Sequence, residues 1–483
     1  MLEAKNLTFS YDGAHKVLDS LNLSISPGEV VILGGPTGSG KSTLARCLSG
    51  FLFQDKKYSL KGSVEIDGAP VSELELAKIS KQVALVQQDP ESQICTLRVV
   101  DEVAFGPENF LVPIKTITRI SHDSLQAVGA LHLLERLSYA LSGGEKQRIV
   151  IAAMLACNPK YLILDEPTSS LDPKGTTHLR EILRDLRESG LGVLCIEHNI
   201  SSLASVADRL LLMENGQLTQ QAVPSSINKP LTVPVSDTSI SKPLLSARSV
   251  SYSYNSTPAI ERVSLDFFPS ETVALMGDNG SGKSTLLALL AGLLEPSDGT
   301  VFLEDRILKN IPRTDLARRM AVVFQNPTHQ IFERTVWKDQ ILGIELLDLP
   351  IDEYRIKATK MLERAGLLPF RDRNPFSLSH GQKRRLNISS ISYYEPMFFL
   401  FDEPFIGQDP DGKLFIQSQL AEMRSRGGIS LVTTHDSSFA LQSCSRIVFL
   451  EKGSVLIDGP PPSVLNWLQD NNYGEYYPRG GVE

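Results

Sequence analysis

The fold of this chain is decided by the stretch Gly35-Pro36-Thr37-Gly38-Ser39-Gly40-Lys41-Ser42-Thr43. It follows an apolar, β-branched run, Val30–Leu33, and leads into a stretch of helical character. Glycines in such a turn let backbone N–H groups converge on phosphate oxygens, and the following helix N-terminus adds positive potential. Gly-x-x-x-x-Gly-Lys-Ser between a strand and a helix therefore predicts a phosphate-binding loop. We expect Lys41 to reach the β- and γ-phosphates and Ser42 to bind Mg²⁺.

The same stretch occurs a second time in the chain. It reads Gly277-Asp278-Asn279-Gly280-Ser281-Gly282-Lys283-Ser284-Thr285 and again follows an apolar run, Val273–Leu275. The two loop lysines are 242 positions apart, and every later landmark repeats at an offset of 237. Two unrelated domains would not keep this spacing, so the chain is one unit repeated in tandem.

Each copy also contains an apolar strand that ends in two acidic residues. These are Asp165-Glu166 in the first copy and Asp402-Glu403 in the second. A buried strand can deliver the first carboxylate to Mg²⁺, while the second carboxylate can polarise an attacking water. The same pattern could merely end a strand, but the phosphate-binding loop upstream favours the functional interpretation.

A serine-led helix start lies between the two motifs in each copy. It reads Ser142-Gly143-Gly144-Glu145 in the first copy and Ser379-His380-Gly381-Gln382 in the second. Serine at the start of a helix, followed by small residues, leaves an N-terminus that can bind an anion, although an ordinary helix cap looks the same. In the second copy Lys383-Arg384-Arg385 follow, and they predict a solvated or phosphate-facing helix start more strongly than a nucleic-acid contact.

Short β-branched runs alternate with longer helical stretches in both copies, which indicates an α/β fold with a largely parallel sheet. We therefore predict two tandem P-loop NTPase domains, at residues 1–221 and 245–465. Residues 222–244 contain four prolines among Ser, Thr and Asn and are expected to form an extended linker. Residues 466–483 are expected to form a C-terminal tail.

The composition limits the possible functions. The chain has 483 residues, with 48 Lys and Arg against 56 Asp and Glu, and the net charge of −8 argues against broad electrostatic binding of nucleic acid. No run reaches the roughly 18–20 apolar residues that span a bilayer, and the first residues lack the layout of a signal peptide. The five scattered cysteines form neither a disulfide framework nor a metal-binding pattern, as is typical of a reducing cytosol.

Together, these motifs resemble the ATPase domains of ABC transporters, duplicated in tandem. The resemblance implies ATP and Mg²⁺ as cofactors, ATP hydrolysis coupled to transport, and a helical subdomain that carries each serine-led signature. Both glycine-rich stretches are then expected to line the nucleotide phosphates. The resemblance also implies roles for residues at matching positions. Tyr11 and Tyr254 would stack on adenine, and Gln88 and Gln325 would contact Mg²⁺ and water. His198 and His435 would end the strand after the acidic pair, and Asp172 and Asp409 would lie in the loop that touches the opposite domain. Tyr11 and Tyr254 could instead be ordinary strand-edge aromatics.

A narrower resemblance concerns the segment that follows each of these glutamines. Gln88-Asp89-Pro90-Glu91-Ser92-Gln93 and Gln325-Asn326-Pro327-Thr328-His329-Gln330 are similar to the ATPases of energy-coupling-factor (ECF) importers, as is Ala104–Asn109. This similarity implies two partners: a polytopic membrane coupling protein and a small membrane subunit that captures a vitamin, a vitamin precursor, or nickel or cobalt ions. It places the chain peripherally, on the cytoplasmic face of the cell membrane. Gln93 and Gln330 would lie at the groove for the coupling helices, unless the segment is a generic ABC glutamine loop.

The family also implies that the two halves of one chain pair head to tail. Each phosphate-binding loop is then completed by the signature of the other half. Lys283 would meet the intact Ser142 signature, whereas Lys41 would meet the signature in which His380 replaces the first glycine. We expect the site at Lys41 to be altered rather than inactive.

Two other functions remain open on the sequence. Soluble tandem ABC proteins act on ribosomes, but they carry an N-terminal iron–sulfur domain or a long charged interdomain arm, which this sequence does not show. Tandem ATPases of sugar importers have a similar size, but the Gln-x-Pro-x-x-Gln segments argue against that function.

Overall fold

A computed structural model describes residues 1–13, 15–36, 38–53, 58–169, 171–197, 200–221, 242–255 and 257–478. The described residues up to Gln221 form one compact unit, and those from Lys242 form a second. The two units are described separately below. None of the described helices is long and apolar enough to cross a membrane.

The first unit contains ten strands and six α-helices among its described residues. The strands are β1 (Leu2–Ser10), β2 (Leu18–Ile25), β3 (Val30–Gly34), β4 (Ser59–Ile66), β5 (Ala69–Pro70), β6 (Val83–Val86), β7 (Tyr161–Asp165), β8 (Gly192–Ile196), β9 (Arg209–Glu214) and β10 (Gln217–Gln221). The helices are α1 (Lys41–Leu48), α2 (Leu76–Ser80), α3 (Val99–Asn109), α4 (Ile114–Ala127), α5 (Gly143–Leu155) and α6 (Pro173–Glu188).

The main sheet of this unit has six strands in the order β10-β9-β3-β8-β7-β6. All neighbours are parallel except β9 and β10, and β3 and β7 are buried along their whole length. Because parallel strands all end at one edge, the loop after β3, the acidic end of β7 and the glutamine after β6 meet at that edge. The fold thus brings three separate sequence motifs to one place.

A second, antiparallel sheet in the order β2-β1-β4-β5 covers the other side of α1. Phe9 of β1 packs in one apolar cluster with Leu44 of α1 and Leu33 of β3. The sequence analysis predicts only the parallel sheet, so this layer is an addition to the prediction. Helix α1, which begins at Lys41, is consequently held between two sheets.

The second unit repeats this architecture. Its strands are β11 (Leu245–Tyr254), β12 (Thr257–Phe267), β13 (Thr272–Met276), β14 (Asp298–Leu303), β15 (Arg306–Ile307), β16 (Met320–Val323), β17 (Phe398–Asp402), β18 (Ile429–Thr433), β19 (Arg446–Glu451) and β20 (Ser454–Gly459). Its helices are α7 (Lys283–Leu290), α8 (Arg313–Arg319), α9 (Val336–Leu346), α10 (Ile351–Arg364), α11 (His380–Ser392), α12 (Pro410–Ser425), α13 (Ser437–Ser443) and α14 (Pro461–Asp470). The sheet orders are β16-β17-β18-β13-β19-β20 and β12-β11-β14-β15, which confirms the tandem α/β prediction.

Three helices of each unit pack on one another and share an apolar core with the parallel sheet. Helices α3, α4 and α5 pack on one another in the first unit, and α9, α10 and α11 do so in the second. Val103, Leu125 and Val150 are buried in the first group. The serine-led signature begins the last helix of each group, as the helical subdomain of the family requires.

The predicted boundary at the end of the second unit differs from the structure. Strand β10 ends at Gln221 and β11 begins at Leu245, while residues 222–241 of the predicted linker lie outside the described residues. The predicted start of a tail at residue 466, however, falls inside α14. Leu468 and Tyr476 are both fully buried, so the chain beyond α14 belongs to the core of the second unit.

Candidate functional site

The first phosphate-binding loop connects β3 to α1. Lys41 is buried, and its Nζ donates to the carbonyls of Gly35, at 2.7 Å, and Pro36, at 2.9 Å. Burial lowers the pKa of Lys41, against the opposing pull of Glu166 and Asp165. Gly38 has a φ of +82°, and the place where a Cβ would stand has no atom within 4 Å. The loop is therefore folded, open on its outer face and lined by a buried cation; Thr37 lies outside the described residues.

The second loop has the same geometry. Lys283 Nζ donates to the carbonyls of Gly277 and Asp278, both at 2.8 Å. Gly280 has a φ of +79° and the same open space around its missing Cβ. The hydroxyl of Ser281 is buried and makes no hydrogen bond to any described residue, as is also true of Ser39 in the first loop. Two buried hydroxyls without partners are donors that a bound phosphate would satisfy.

The acidic pair of the first unit lies beside its loop. Burial raises the pKa of Asp165, and the nearby hydroxyl of Ser42 opposes this rise. Asp165 Oδ1 is buried and has no hydrogen-bond partner among the described residues. Gln88 Nε2 donates to Glu166 Oε2 at 2.6 Å, which joins the glutamine after β6 to the glutamate after β7. His198 lies outside the described residues.

The acidic pair of the second unit also lies beside its loop. Thr433 donates to Asp402 Oδ1 at 2.6 Å, and His435 Nε2 lies 3.2 Å from Glu403 Oε1 and 3.1 Å from Asn279 Oδ1. Burial raises the pKa of Glu403 to about 7, with Lys283 opposing the rise. Burial and the charge of Lys283 lower the pKa of His435 to about 3, so this ring is neutral at neutral pH. Since both neighbours of Nε2 are oxygens, the proton of the neutral ring belongs on Nε2.

These donor sets fit a Mg²⁺-bound nucleoside triphosphate. Each loop offers backbone N–H groups at a helix start, an open glycine face and a buried lysine, which together suit phosphate oxygens. The unpartnered Asp165 oxygen beside the Ser42 hydroxyl provides the hard oxygen ligands that Mg²⁺ prefers. In the second unit Ser284 follows Lys283 in the first turn of α7, and Asp402 ends β17.

The spacing Gln-x-Pro-x-x-Gln has a structural reason in both units. Gln93 accepts from the amide of Gln87 at 2.7 Å and donates to the carbonyl of Leu85 at 3.1 Å. Gln330 makes the same pair of hydrogen bonds, to Phe324 at 2.9 Å and Val322 at 2.7 Å. The second glutamine therefore ties its loop back to the preceding strand. In the described structure its side-chain amide is engaged inside the loop.

A buried acid closes the next turn in each unit, and the sequence analysis does not identify it. Glu102 accepts hydrogen bonds from the amides of Cys95, at 3.0 Å, and Thr96, at 2.8 Å. Asp339, 237 positions later, accepts from two amides in the same way. A single acidic residue within a helix carries no local signal of this role.

Both signature serines cap their helices. Ser142 accepts from the amide of Glu145 at 3.3 Å, and the Glu145 carboxylate accepts from the amide of Ser142 at 2.8 Å. Ser379 and Gln382 form the same reciprocal capping box. In the second unit the ring of His380 lies near Gly407, with Nδ1 3.3 Å from the position that a Cβ on Gly407 would occupy.

Asp172 and Asp409 also cap helices. The side chain of Asp172 accepts from the amide of Gly175, and that of Asp409 accepts from the amide of Gly412, both at 2.7 Å. Each aspartate thus begins the helix that follows the acidic pair of its unit, α6 or α12.

Arg384 contradicts the prediction that Lys383-Arg384-Arg385 form a solvated or phosphate-facing helix start. Its side chain is fully buried, and the guanidinium donates to the carbonyls of Asp402, Glu403 and Gln325. A planar group with five N–H donors can satisfy several carbonyls at once, which makes this burial possible. The matching residue of the first unit, Gln147, donates to the carbonyl of Pro167 instead. Sequence reasoning misses Arg384 because its partners come from distant parts of the chain.

The two predicted adenine-stacking residues are exposed next to the loops. Tyr11 is 40% exposed, and its hydroxyl lies 3.2 Å from Thr43 Oγ1 in α1. Tyr254 is 49% exposed at the end of β11 and makes an edge contact with Tyr252. Thr285, the counterpart of Thr43, lies in the first turn of α7.

Comparison with known proteins identifies the family. The model of the family described as "ABC transporter" matches residues 18–169 and 260–406, one segment in each unit. The chain belongs to the ABC transporter family. It is therefore an ATP-binding subunit of an ABC transporter and an ATPase, which works with the membrane part of that transporter.

Individual relatives extend over almost the whole chain. A Methanosarcina mazei protein named "Putative ABC transporter ATP-binding protein" is 30% identical over 96% of this chain and 90% of its own length. A Bacillus subtilis protein named "Putative HMP/thiamine import ATP-binding protein YkoD" is 31% identical over 96% of this chain and 92% of its own length.

A solved structure shows the tandem fold. A chain in the complex of archaeal ribosomal stalk protein aP1 with archaeal ribosome recycling factor aABCE1 aligns with a TM-score of 0.65. It is 20% identical and the alignment covers 97% of this ABC ATPase and 92% of that chain, a likeness that concerns the fold alone.

Proposed function

We propose that this ABC ATPase drives an importer of the energy-coupling-factor type, as a protein held peripherally on the cytoplasmic face of the cell membrane. The observation that carries this proposal is the pair of Gln-x-Pro-x-x-Gln loops, each closed by its second glutamine at the edge where the acidic pair lies. A conformational change at that edge when nucleotide binds or is hydrolysed could therefore move the glutamine loop through these hydrogen bonds. The partners would be a polytopic coupling protein and a small cargo-binding membrane subunit.

The residues of each nucleotide site are proposed to divide the work of hydrolysis. Lys41 and Lys283 bind phosphate oxygens and neutralise their charge. Glu166 and Glu403 orient and polarise the attacking water, and His198 and His435 are proposed to assist them. Mg²⁺ would be held by Ser42, Gln88 and Asp165 in the first site and by Ser284, Gln325 and Asp402 in the second. Bound there, it would supply electrostatic stabilisation of the phosphoryl oxygens.

Each site is proposed to be completed by the signature helix of the other unit, within one chain. A helix N-terminus carries partial positive charge and free amide donors, so it suits the exposed side of a triphosphate. The capping boxes at Ser142 and Ser379 order both helix starts for this contact. Tyr11 and Tyr254 are exposed where an adenine ring could stack on them.

The cargo is proposed to be a vitamin or a vitamin precursor. The Bacillus subtilis relative is named for HMP/thiamine import, and its similarity extends over 96% of this chain. Nickel or cobalt ions are the other cargo class of such importers. The ATPase itself carries no cargo pocket in this scheme, because a separate membrane subunit binds the cargo.

Co-expression with the membrane proteins encoded beside its gene tests the proposal. The chain should co-purify in detergent with one polytopic protein and one small membrane protein, and the reconstituted complex should take up labelled thiamine or another vitamin in an ATP-dependent manner. A variant with Lys41→Ala and Lys283→Ala should assemble but not transport. Recovery of ribosomal RNA in place of membrane proteins would contradict the proposal and point to the ribosomal class.

A further inference from the structure

The end of the described chain reaches the second phosphate-binding loop. Tyr476 lies in a short 3₁₀ turn, Gly474–Tyr476, that follows α14, and its side chain is fully buried. Its hydroxyl donates to Asp278 Oδ1 at 2.7 Å. Asp278 is the second residue of the glycine-rich loop, 198 positions away in the sequence.

The Tyr476 ring is fixed by the strand next to the loop. It makes an edge contact with Phe449 of β19, with ring centroids 4.9 Å apart and an interplanar angle of 89°. Phe449 pairs in register with Met276, the last residue of β13 and the residue before Gly277. The C-terminal turn therefore contacts β19, next to the end of β13, and also the start of the loop.

The hydrogen bond from Tyr476 acts on the residue that holds the loop lysine. The carbonyl of Asp278 accepts from Lys283 Nζ at 2.8 Å and from the amide of Ser281 at 3.1 Å. The side chain of Asp278 is thus tied to the core while its carbonyl organises the loop. A hydrogen bond to a carboxylate is stronger than one between neutral groups, so this tie restrains the loop more than a neutral contact would.

The first loop cannot be held in this way. Its residue at the matching position is Pro36, whose carbonyl accepts from Lys41 at 2.9 Å as that of Asp278 does from Lys283. A proline side chain has no hydrogen-bond acceptor. In both loops the carbonyl at this position accepts a hydrogen bond from the loop lysine. Only the second loop has a side chain there, that of Asp278, that can accept a hydrogen bond from the core.

We propose that the hydrogen bond from Tyr476 to Asp278 is an intramolecular brace for the second phosphate-binding loop, and that Tyr476 is a positioning residue that raises nucleotide affinity at that loop alone. A loop held in its binding conformation loses less conformational freedom when a ligand binds, which strengthens binding without a new contact to the ligand. The inference rests on the proposed nucleotide binding at Lys283.

Fluorescence titration with mant-ATP tests the brace one loop at a time. In a Lys41→Ala background, where the second loop alone binds, Tyr476→Phe should weaken mant-ATP binding by about fivefold. Phenylalanine keeps the buried ring and removes only the hydroxyl, so the core is retained. The matched control is Tyr473→Phe, which removes a hydroxyl bonded to Glu451 at 2.6 Å in the same segment and should leave the affinity within about twofold.

Two further variants make the test decisive. In a Lys283→Ala background, Tyr476→Phe should not change binding at the first loop. Asp278→Ala should weaken the second loop as Tyr476→Phe does, and the two changes together should weaken it no further, because they remove the same bond. Equal affinity with and without the Tyr476 hydroxyl, or an equal loss in Tyr473→Phe, would overturn the brace. Absence of mant-ATP binding in both single-loop backgrounds would instead overturn the proposed function.

Discussion

The glutamate after each buried aspartate has a left-handed backbone, with a φ of 53° at Glu166 and 49° at Glu403. This conformation is uncommon for a residue with a side chain and is often found where function requires a fixed direction. The same turn in both units aims the glutamate at the edge that holds the phosphate-binding loop. Among the described residues, Gln88 contacts Glu166 in the first unit and His435 contacts Glu403 in the second.

The altered His380 signature predicts that the two glutamates contribute unequally to ATP turnover. Glu403→Gln should lower ATP turnover by about 100-fold or more, because it removes the acid–base group of the site proposed to receive the intact signature. Glu166→Gln should leave a larger residual rate. Phosphate release by each variant in the reconstituted complex measures both, and equal losses would remove the case for asymmetry.

Arg384 is expected to be structurally important despite its place in a cationic run. Arg384→Gln removes donors from three carbonyls, those of Asp402 and Glu403 being buried, and we expect a loss of about 1–3 kcal/mol in the free energy of unfolding, together with slower turnover. The matched control is Arg385→Gln, which breaks a partly exposed ion pair with Asp409 at 3.5 Å and should cost less than about 1 kcal/mol. Denaturant unfolding compares the two, and a similar loss in both would contradict the assigned role.

At the residue scale the sequence predicts what a local pattern encodes. The loop lysines, the acidic pairs and the signature serines each stand in a motif with its own spacing, and the fold brings them to the expected edge or helix start. Arg384 and Tyr476 have no such motif. Their hydrogen-bond partners are 18 to 198 positions away, so only the tertiary structure shows them.

At the scale of elements, the glutamine loop is a small closed unit of its own. Gln93→Ala and Gln330→Ala each remove two hydrogen bonds that tie this loop to its strand. The amide of Gln87 or Phe324 should then exchange with solvent about tenfold faster, as expected for one lost hydrogen bond.

Hydrogen–deuterium exchange of the whole chain measures this change. Ser92→Ala is the control, because the Ser92 hydroxyl bonds to the carbonyl of Asp89 within the loop and not to the strand. It should leave the Gln87 amide unchanged. Unaltered exchange in Gln93→Ala would show that the glutamine does not close the loop.

The elements themselves were predictable to different degrees. Strands such as β3 and β7 are short apolar runs buried on both faces, which is typical of a parallel sheet. The antiparallel sheet of β1, β2 and β4 was not predicted. β1 pairs with its chain neighbour β2, but it pairs with β4 only across β3, the phosphate-binding loop and α1, so no local pattern indicates the whole sheet. The boundary at residue 466 was wrong for a related reason: the apolar residues that anchor the segment, Leu468 and Tyr476, are separated by polar ones.

At the scale of the whole molecule, one architecture is used twice with local changes at the nucleotide sites. Three of these changes place a more polar or more charged residue in the second copy. They are Pro36 against Asp278, Gly143 against His380 and Gln147 against Arg384. Because the strand orders of both sheets are the same in the two units, we expect differences in activity between the two sites to trace to local changes such as these.

The central claim is that one chain contains two nucleotide sites, and counting bound nucleotide tests it most directly. Native mass spectrometry of the purified chain with Glu166→Gln and Glu403→Gln, in ATP and Mg²⁺, should show two nucleotides per chain. Adding Lys41→Ala or Lys283→Ala should leave one, and adding both should leave none. A chain that binds at most one nucleotide, or that binds two regardless of either lysine, would contradict the account.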